Sequence, residues 1–333
     1  MPAGVLIYAE QRDGRSAPIV AELLGIGRTL ANALGEPLVA MVFGNGVSNE
    51  IKQDLVARGV VRVVAVDHPL LEHYQVEPYV DALERVVRQV DPAIVLLGQT
   101  FQCRDLAPRL AFRLGTGLCM DCVELSIEPQ TRLLVEIKPV FGGNARAEFV
   151  CEEPRPQMAT IRAKAFEAAV PDAGRSGSIE SLTVDLDPSK VRARVIEHTV
   201  ATTTGGLKLE DARIVVSGGR GMGSEENFQP VEALASVFGG AVAASRGAVD
   251  AGYQPTERQV GLSGKVVTPD LYVAIAISGA SQHMAGCTGS KCIVALNRDA
   301  DAAIFKFAQF GVVGTWQQFL PAFTEKVREL LKD

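Results

Sequence analysis

Five short strings in the last third of the chain put glycines, hydroxyls and cations where apolar runs end. Val215-Val216-Ser217-Gly218-Gly219-Arg220-Gly221-Met222-Gly223-Ser224 passes from a strand-like run into bare backbone around one arginine. Glycines let the main chain approach a phosphate, and a guanidinium among them suits bidentate anion contact. The string resembles the dinucleotide fingerprint without matching GxGxxG, and a tight structural turn would use the same glycines. Ala243-Ala244-Ser245-Arg246 ends a second run with a hydroxyl and a permanent cation. The bland alternative is a surface arginine paired with Asp250 one helical turn on. Gln259-Val260-Gly261-Leu262-Ser263-Gly264-Lys265 repeats glycine, hydroxyl and cation, and as an isolated string is equally a hairpin turn.

Ile277-Ser278-Gly279-Ala280-Ser281-Gln282-His283-Met284-Ala285-Gly286 goes from strand through small residues into a helix. His283 falls in the first helical turn, where the helix N-terminus disfavours its protonation. Val294-Ala295-Leu296-Asn297-Arg298-Asp299 adds a strand-end amide and polar groups for a ribitol or a diphosphate. Together the five clusters imply a bound dinucleotide far more strongly than any one does. No nucleophile and base pair and no metal-ligand spacing stands beside them, so the site reads as a cradle for a cofactor that does the chemistry itself.

The elements that must position these strings follow an α/β rhythm. Strand-like Val5–Tyr8, 37–43, 61–66 and 93–97 alternate with helical stretches at 19–33, 50–58 and 77–90, the pattern of a parallel sheet covered by helices. From 122 to 163 four strands follow one another with short turns, which predicts an antiparallel addition. Leu182, Val184, Leu186, Val191, Ala193 and Val195 alternate with polar residues as in a half-exposed extended arm. A second α/β pattern has strands at 214–216, 241–244, 271–277 and 292–296, with helices at 230–238, 282–285 and 321–331. The fold class is therefore α/β with two domains, each a mainly parallel sheet flanked by helices: 1–198, a Thr/Gly-rich linker at 199–207, and 208–333.

Composition bounds the function. The chain has 333 residues, 47% hydrophobic and 22% charged, enough for two buried cores. A net charge of -6 argues against nucleic-acid binding, and no apolar run approaches a membrane span. The N-terminus shows neither a secretory nor an Arg-rich transit pattern, and six cysteines without a disulfide-scaffold spacing suit a reducing compartment, so a cytoplasmic location is expected. Cys119 and Cys122 form an isolated CxxC with no second pair to complete a metal site, and with Cys103, Cys151, Cys287 and Cys292 they read as ordinary buried thiols.

The order and wording of the clusters resemble the α subunit of electron-transfer flavoproteins, the ETF α / FixB family. Gly218 to Gly221, Ser245 to Pro255, Gln259 to Lys265, Pro269 to Gly286 and Ala295 to Asp299 carry the likeness in the second half. Leu97-Gly98-Gln99-Thr100, Arg104 to Arg109 and Leu114 to Gly117 extend it through the first. The resemblance implies a Rossmann-like C-terminal domain that holds FAD. By it, Arg220, Ser245 and Asn297 contact the cofactor, Arg246 lies over the isoalloxazine, Ser263 sits near flavin N5, and Gln282 and His283 meet the pyrimidine edge with His283 by O2. Gln259, Gly261, Gly264, Ser278, Gly279 and Ala280 complete the candidate cofactor-binding set. Ser263 stands where many members have threonine, Gln309 and Thr315 where many have aspartate, and Cys287 where methionine is common.

The resemblance further implies an obligate heterodimer with a β subunit that holds AMP or a second FAD. The first domain would pack against that subunit as a structural base. Such a protein is an electron carrier rather than a conventional enzyme, passing electrons from acyl-CoA dehydrogenase-type flavoenzymes of fatty-acid β-oxidation to a quinone oxidoreductase. The main rival is an electron-bifurcating form coupling NADH oxidation to reduction of ferredoxin and a CoA-linked acceptor. An independent NAD-dependent enzyme would instead want an acidic residue ending the second strand, where this sequence has Ser245-Arg246. A nucleotide-sensing module would not need Arg246 and His283 converging on a ring.

Overall fold

The computed structural model describes residues 2–12, 14–141, 145–193, 195–197 and 208–331. The chain falls into two compact units, residues 1–140 with 145–199 forming one and residues 200–333 the body of the other. The expected linker at 199–207 lies outside the described residues.

In the first unit, β1 (Val5–Tyr8) is buried at every position. A minor hairpin of β2 (Gln11–Arg12) and β3 (Arg15–Ser16) leads to α1 (Ile19–Leu34), β4 (Leu38–Gly44), α2 (Asn49–Ala57), β5 (Arg62–Asp67), α3 (Val76–Val90) and β6 (Ile94–Gly98). Then come α4 (Phe101–Leu114), β7 (Leu118–Cys122), β8 (Glu124–Ile127), β9 (Leu134–Val140), β10 (Ala145–Val150), β11 (Gln157–Ile161) and β12 (Ser178–Ser181). Seven strands form a parallel sheet in the order β12-β5-β4-β1-β6-β11-β7. Val5 and Ile7 pack beneath α1 and α2, whereas Leu6 and Tyr8 pack beneath α3 and α4. Helices on both faces are why these strands read as continuous apolar runs.

The antiparallel expectation holds for β8, β9 and β10, which form a separate three-stranded sheet. It fails for β11, which inserts between β6 and β7 and runs parallel to both. Every residue of Gln157–Ile161 is buried, the signature of a strand covered on two faces, and the short turns around it hid that. The sequence reading also passed over α4, whose ends are set by Thr100, accepting from the Cys103 N–H, and by Gly115 in the left-handed region. Within the expected arm, Val184 and Leu186 are buried, and just before it β12 joins the sheet edge beside β5.

The second unit contains β13 (Ile214–Gly218), α5 (Gln229–Phe238), β14 (Ala241–Ser245), α6 (Arg246–Val249), β15 (Gln259–Val260) and β16 (Leu271–Ile275). It continues with α7 (Ser281–Met284), β17 (Cys292–Asn297), β18 (Phe310–Val313) and α8 (Trp316–Leu330). Its six strands are all parallel in the order β15-β14-β13-β16-β17-β18. Counted within the unit this is 3-2-1-4-5-6, the Rossmann order, so the direction in which successive strands are added reverses between β13 and β16. Helix α8 starts five residues before the predicted 321, because Pro321 sits inside the helix rather than opening it. No described helix is long and apolar enough to cross a membrane.

Candidate functional site

The strand ends of the second unit border a cleft of about 780 Å3 at the carboxyl edge of the sheet. Its location at the reversal between β13 and β16 is where open α/β sheets bind ligands, and its size suits one small-molecule cofactor. β13 delivers Arg220. Gly219 is indispensable to this turn, since a Cβ there would lie 2.0 Å from the Ala276 carbonyl oxygen. The loop does not run straight into a helix as the sequence suggested: Arg220–Met222 makes a single 3-10 turn and α5 begins only at Gln229.

β14 brings in Ser245 and Arg246, and the bland pairing foreseen for Arg246 exists, with Nε 3.3 Å from Asp250 Oδ2. That pair is 70% and 62% exposed, so solvent weakens it and the guanidinium keeps its charge available. β15 supplies Gln259, whose Nε2 donates to Ser263 Oγ at 3.1 Å. Gly261 and Ser263 follow on the cleft wall, and the Leu262 N–H donates to the Gln282 carbonyl at 2.7 Å, tying this loop to α7. Ser278 and Ala280 come from the turn after β16, and Gln282 and His283 from α7.

Gly264, Gly279 and Asn297 do not line this cleft. Gly279 has φ +83, and a Cβ there would stand 2.2 Å from the Ile304 nitrogen, so its task is close chain packing. Gly264 is likewise pressed on the Gln259 carbonyl, 2.5 Å from where a Cβ would be. Asn297 lines an adjoining cavity, donates through Nδ2 to the Ile277 carbonyl at 2.9 Å and accepts the Asp299 N–H, which fixes the turn after β17. The neighbouring Arg298 reaches the main cleft instead. Its sequence signal is a cation directly after a strand end, the same signal that Arg246 gives. Of the other departures, Gln309 accepts the Ile293 N–H at 2.6 Å and Thr315 precedes α8, while Cys287 is fully buried.

His283 is 7% exposed, and Tyr272 on β16 is fully buried with its hydroxyl 3.0 Å from His283 Nε2. Burial lowers the imidazole pKa to about 4, against a smaller opposing pull from the Val260 carbonyl. Burial, more than the helix N-terminus invoked from sequence, therefore keeps His283 neutral. Burial also raises the Tyr272 pKa, so its O–H remains protonated and shares one hydrogen bond with Nε2, whose direction follows the imidazole tautomer. The other ring nitrogen, Nδ1, is buried without a hydrogen-bond partner among the described residues.

Three guanidiniums, Arg220, Arg246 and Arg298, face the cleft against the single carboxylate of Asp250. Arg220 and Arg298 make no ion pair with a described residue. An excess of unpaired cation, hydroxyls and one unpartnered imidazole nitrogen fits a ligand with a diphosphate and a polar heterocycle.

Residues 5–187 match the electron transfer flavoprotein domain and residues 208–288 the electron transfer flavoprotein FAD-binding domain. The chain belongs to the electron transfer flavoprotein α-subunit family. It is 41% identical to the electron transfer flavoprotein subunit alpha of Thermoanaerobacterium thermosaccharolyticum, covering 98% of each chain. It is 41% identical to Protein FixB of Azotobacter vinelandii over 98% of this chain and 91% of the relative. It is also 36% identical to the lactate dehydrogenase (NAD(+),ferredoxin) subunit LctC of Acetobacterium woodii, over 96% of this chain and 75% of that one. The cleft lies within and just beyond the segment matched to the family's FAD-binding domain.

Proposed function

We propose that this chain binds FAD in the cleft of its second unit and, paired with the family's β subunit, carries electrons between other redox proteins. The reading rests above all on three arginines meeting one carboxylate at the reversal point of a Rossmann-ordered sheet. FAD supplies the one- and two-electron chemistry. The protein binds, orients and sets charge. Arg220 and Arg298 hold the diphosphate, and the hydroxyls of Ser245 and Ser278 join them. Arg246, steadied by Asp250, supplies positive charge to the isoalloxazine, and Gln282 and His283, the latter as its Nδ1-protonated tautomer, donate at the pyrimidine edge. A neutral donor beside a cation favours negative charge on the ring without placing a second full charge in a buried site. Ser263, held by Gln259, directs its hydroxyl to the ring's opposite edge.

In this scheme the donors are acyl-CoA dehydrogenase-type flavoenzymes, the acceptor is a quinone oxidoreductase, and the β subunit holds AMP. The printed name of the Acetobacterium woodii relative supports a second reading, electron bifurcation, in which the partner holds a second FAD and the pair oxidises NADH. The deciding experiment is to co-express the chain with a β subunit, quantify FAD per heterodimer and titrate with NADH. One FAD and no response to NADH are expected; two FADs with direct reduction by NADH move the assignment to bifurcation. A stable pair that takes up no FAD defeats both.

A further inference from the structure

The CxxC of the first unit is not the pair of independent buried thiols that its sequence suggests. In a regular strand, residues three apart point to opposite faces and stand about 10 Å apart. Strand β7 is not regular: Cys119 pairs with Ala159 and Cys122 with Ile161, so three residues on β7 face two on β11. Asp121 takes up the extra residue at φ +68. The bulge is pinned, because the Asp121 N–H donates to Thr160 Oγ1 at 2.9 Å and its carboxylate binds the Arg162 guanidinium at 2.9 and 2.6 Å. Both cysteines therefore share one face and one core with Ala159 and Ile161. The residues they oppose lie two apart on β11, a spacing of about 6.6 Å in a regular strand, and a Cα separation of that size is within the disulfide range. The Cys122 thiol is already turned toward its mate, 3.6 Å from the Cys119 carbonyl oxygen.

Glu136 lies on β9, a strand that packs against β7. It is 2% exposed, and its Oε1 has no hydrogen-bond partner among the described residues. Burial without a hydrogen-bond partner disfavours the charged form of such a carboxyl. Burial, then the neighbouring Cys119, pushes its pKa up to about 8, into the range of a proton acceptor for thiols at neutral pH. Around Cys119, the hydrogen bond with Cys122 and then the Lys138 charge favour the thiolate, whereas burial and Asp121 oppose it, and the balance lowers its pKa. Cys122 is shifted up, mainly by the hydrogen bond with Cys119 and by burial.

We propose that Cys119 and Cys122 are a redox-active dithiol that closes to a disulfide with a hydroperoxide as oxidant, Glu136 acting as the proton acceptor and donor. The Cys119 thiolate attacks the distal peroxide oxygen and the O–O bond breaks. This leaves a sulfenic acid on Cys119 and an alkoxide or hydroxide that departs, once protonated, as alcohol or water. Glu136 then takes the Cys122 proton, and the Cys122 thiolate attacks the Cys119 sulfur. The S–S bond forms, the S–O bond breaks, and water leaves with the proton from Glu136. In sum two thiols lose two electrons and two protons, and one peroxide is reduced.

The test uses the full chain as purified, exposed to graded hydrogen peroxide, then denatured in the presence of an alkylating reagent and analysed by peptide mass mapping. The peptide containing residues 119–122 is expected to lose two hydrogens and resist alkylation, and dithiothreitol should reverse both. C119S and C122S should abolish closure, and E136Q should slow it by at least about tenfold and flatten its dependence on pH near 8. Should the serine variants fail to fold, the wild-type map and E136Q, verified by circular dichroism, still decide. The dithiol is refuted if both thiols remain alkylatable at peroxide concentrations that oxidise the half-buried Cys151. Unchanged closure in folded E136Q refutes the role of Glu136.

Discussion

His283 condenses the chemistry of the cleft into one side chain. A charged imidazole would have to exist 7% exposed, so the ring stays neutral, with Nε2 bonded to the Tyr272 hydroxyl and Nδ1 buried without a partner among the described residues. Its pKa, about 4 in the fold against 6.5 in the unfolded chain, carries a stability consequence. The folded state binds fewer protons, so the contribution is present above about 6.5 and is lost as pH falls through about 4. The wild-type chain should therefore lose stability between those values in urea titrations, and H283N should lose less. Replacing Tyr272 with phenylalanine leaves Nε2 buried and unpaired, at a cost of about 1–3 kcal/mol by the same measurement. Glu136 has the opposite sign. Its raised pKa favours the fold below about 4.5, and that advantage disappears as pH rises through about 8. E136Q should flatten that decline.

At the scale of elements, strand ends and the loops between them do the positioning. β13 and β16 splay their following turns apart, and Gly219 lets the first pass directly under Ala276, which itself adopts φ +54. Gly219→Ala puts a methyl 2.0 Å from a backbone oxygen, and Gly279→Ala adds a left-handed φ to a 2.2 Å clash with backbone nitrogen. Both are backbone contacts that no side-chain rotation relieves. Each substitution should destabilise the second unit by about 2 kcal/mol or more and reduce FAD retention, checked by thermal melting and by flavin absorbance after gel filtration. The element pattern was largely legible beforehand, because apolar periodicity is a local property. β11 was misplaced because strand direction within a sheet depends on which distant strand accepts its hydrogen bonds. The same holds for β18, a short edge strand whose Phe310 and Val313 are exposed.

For the whole molecule, each unit has its own pair of cores, one on either face of its sheet. The only tryptophan, Trp316, belongs to the second and reports on the unit that carries the cleft. FAD at a hundred times its dissociation constant should stabilise that unit by about 2.7 kcal/mol, seen as a rise in the Trp316 unfolding midpoint. The double variant R220A/R298A should lose most of that rise at the same FAD concentration while melting normally without ligand.

The sequence by itself determined two α/β units, the strand-end position of the glycine, hydroxyl and arginine strings, and their family likeness. These depend on residue type and short spacing, which local chain stiffness and apolar periodicity translate directly into structure. Tertiary structure alone decided which strings share a cleft, that Arg298 enters it while Asn297 holds a turn, and that Tyr272 hydrogen-bonds His283. It also decided that Cys119 and Cys122 face one way, since only pairing with β11 shows the bulge at Asp121. In each case the partners lie eleven or more residues apart, or meet through a third strand, and sequence spacing carries no record of contacts closed by folding.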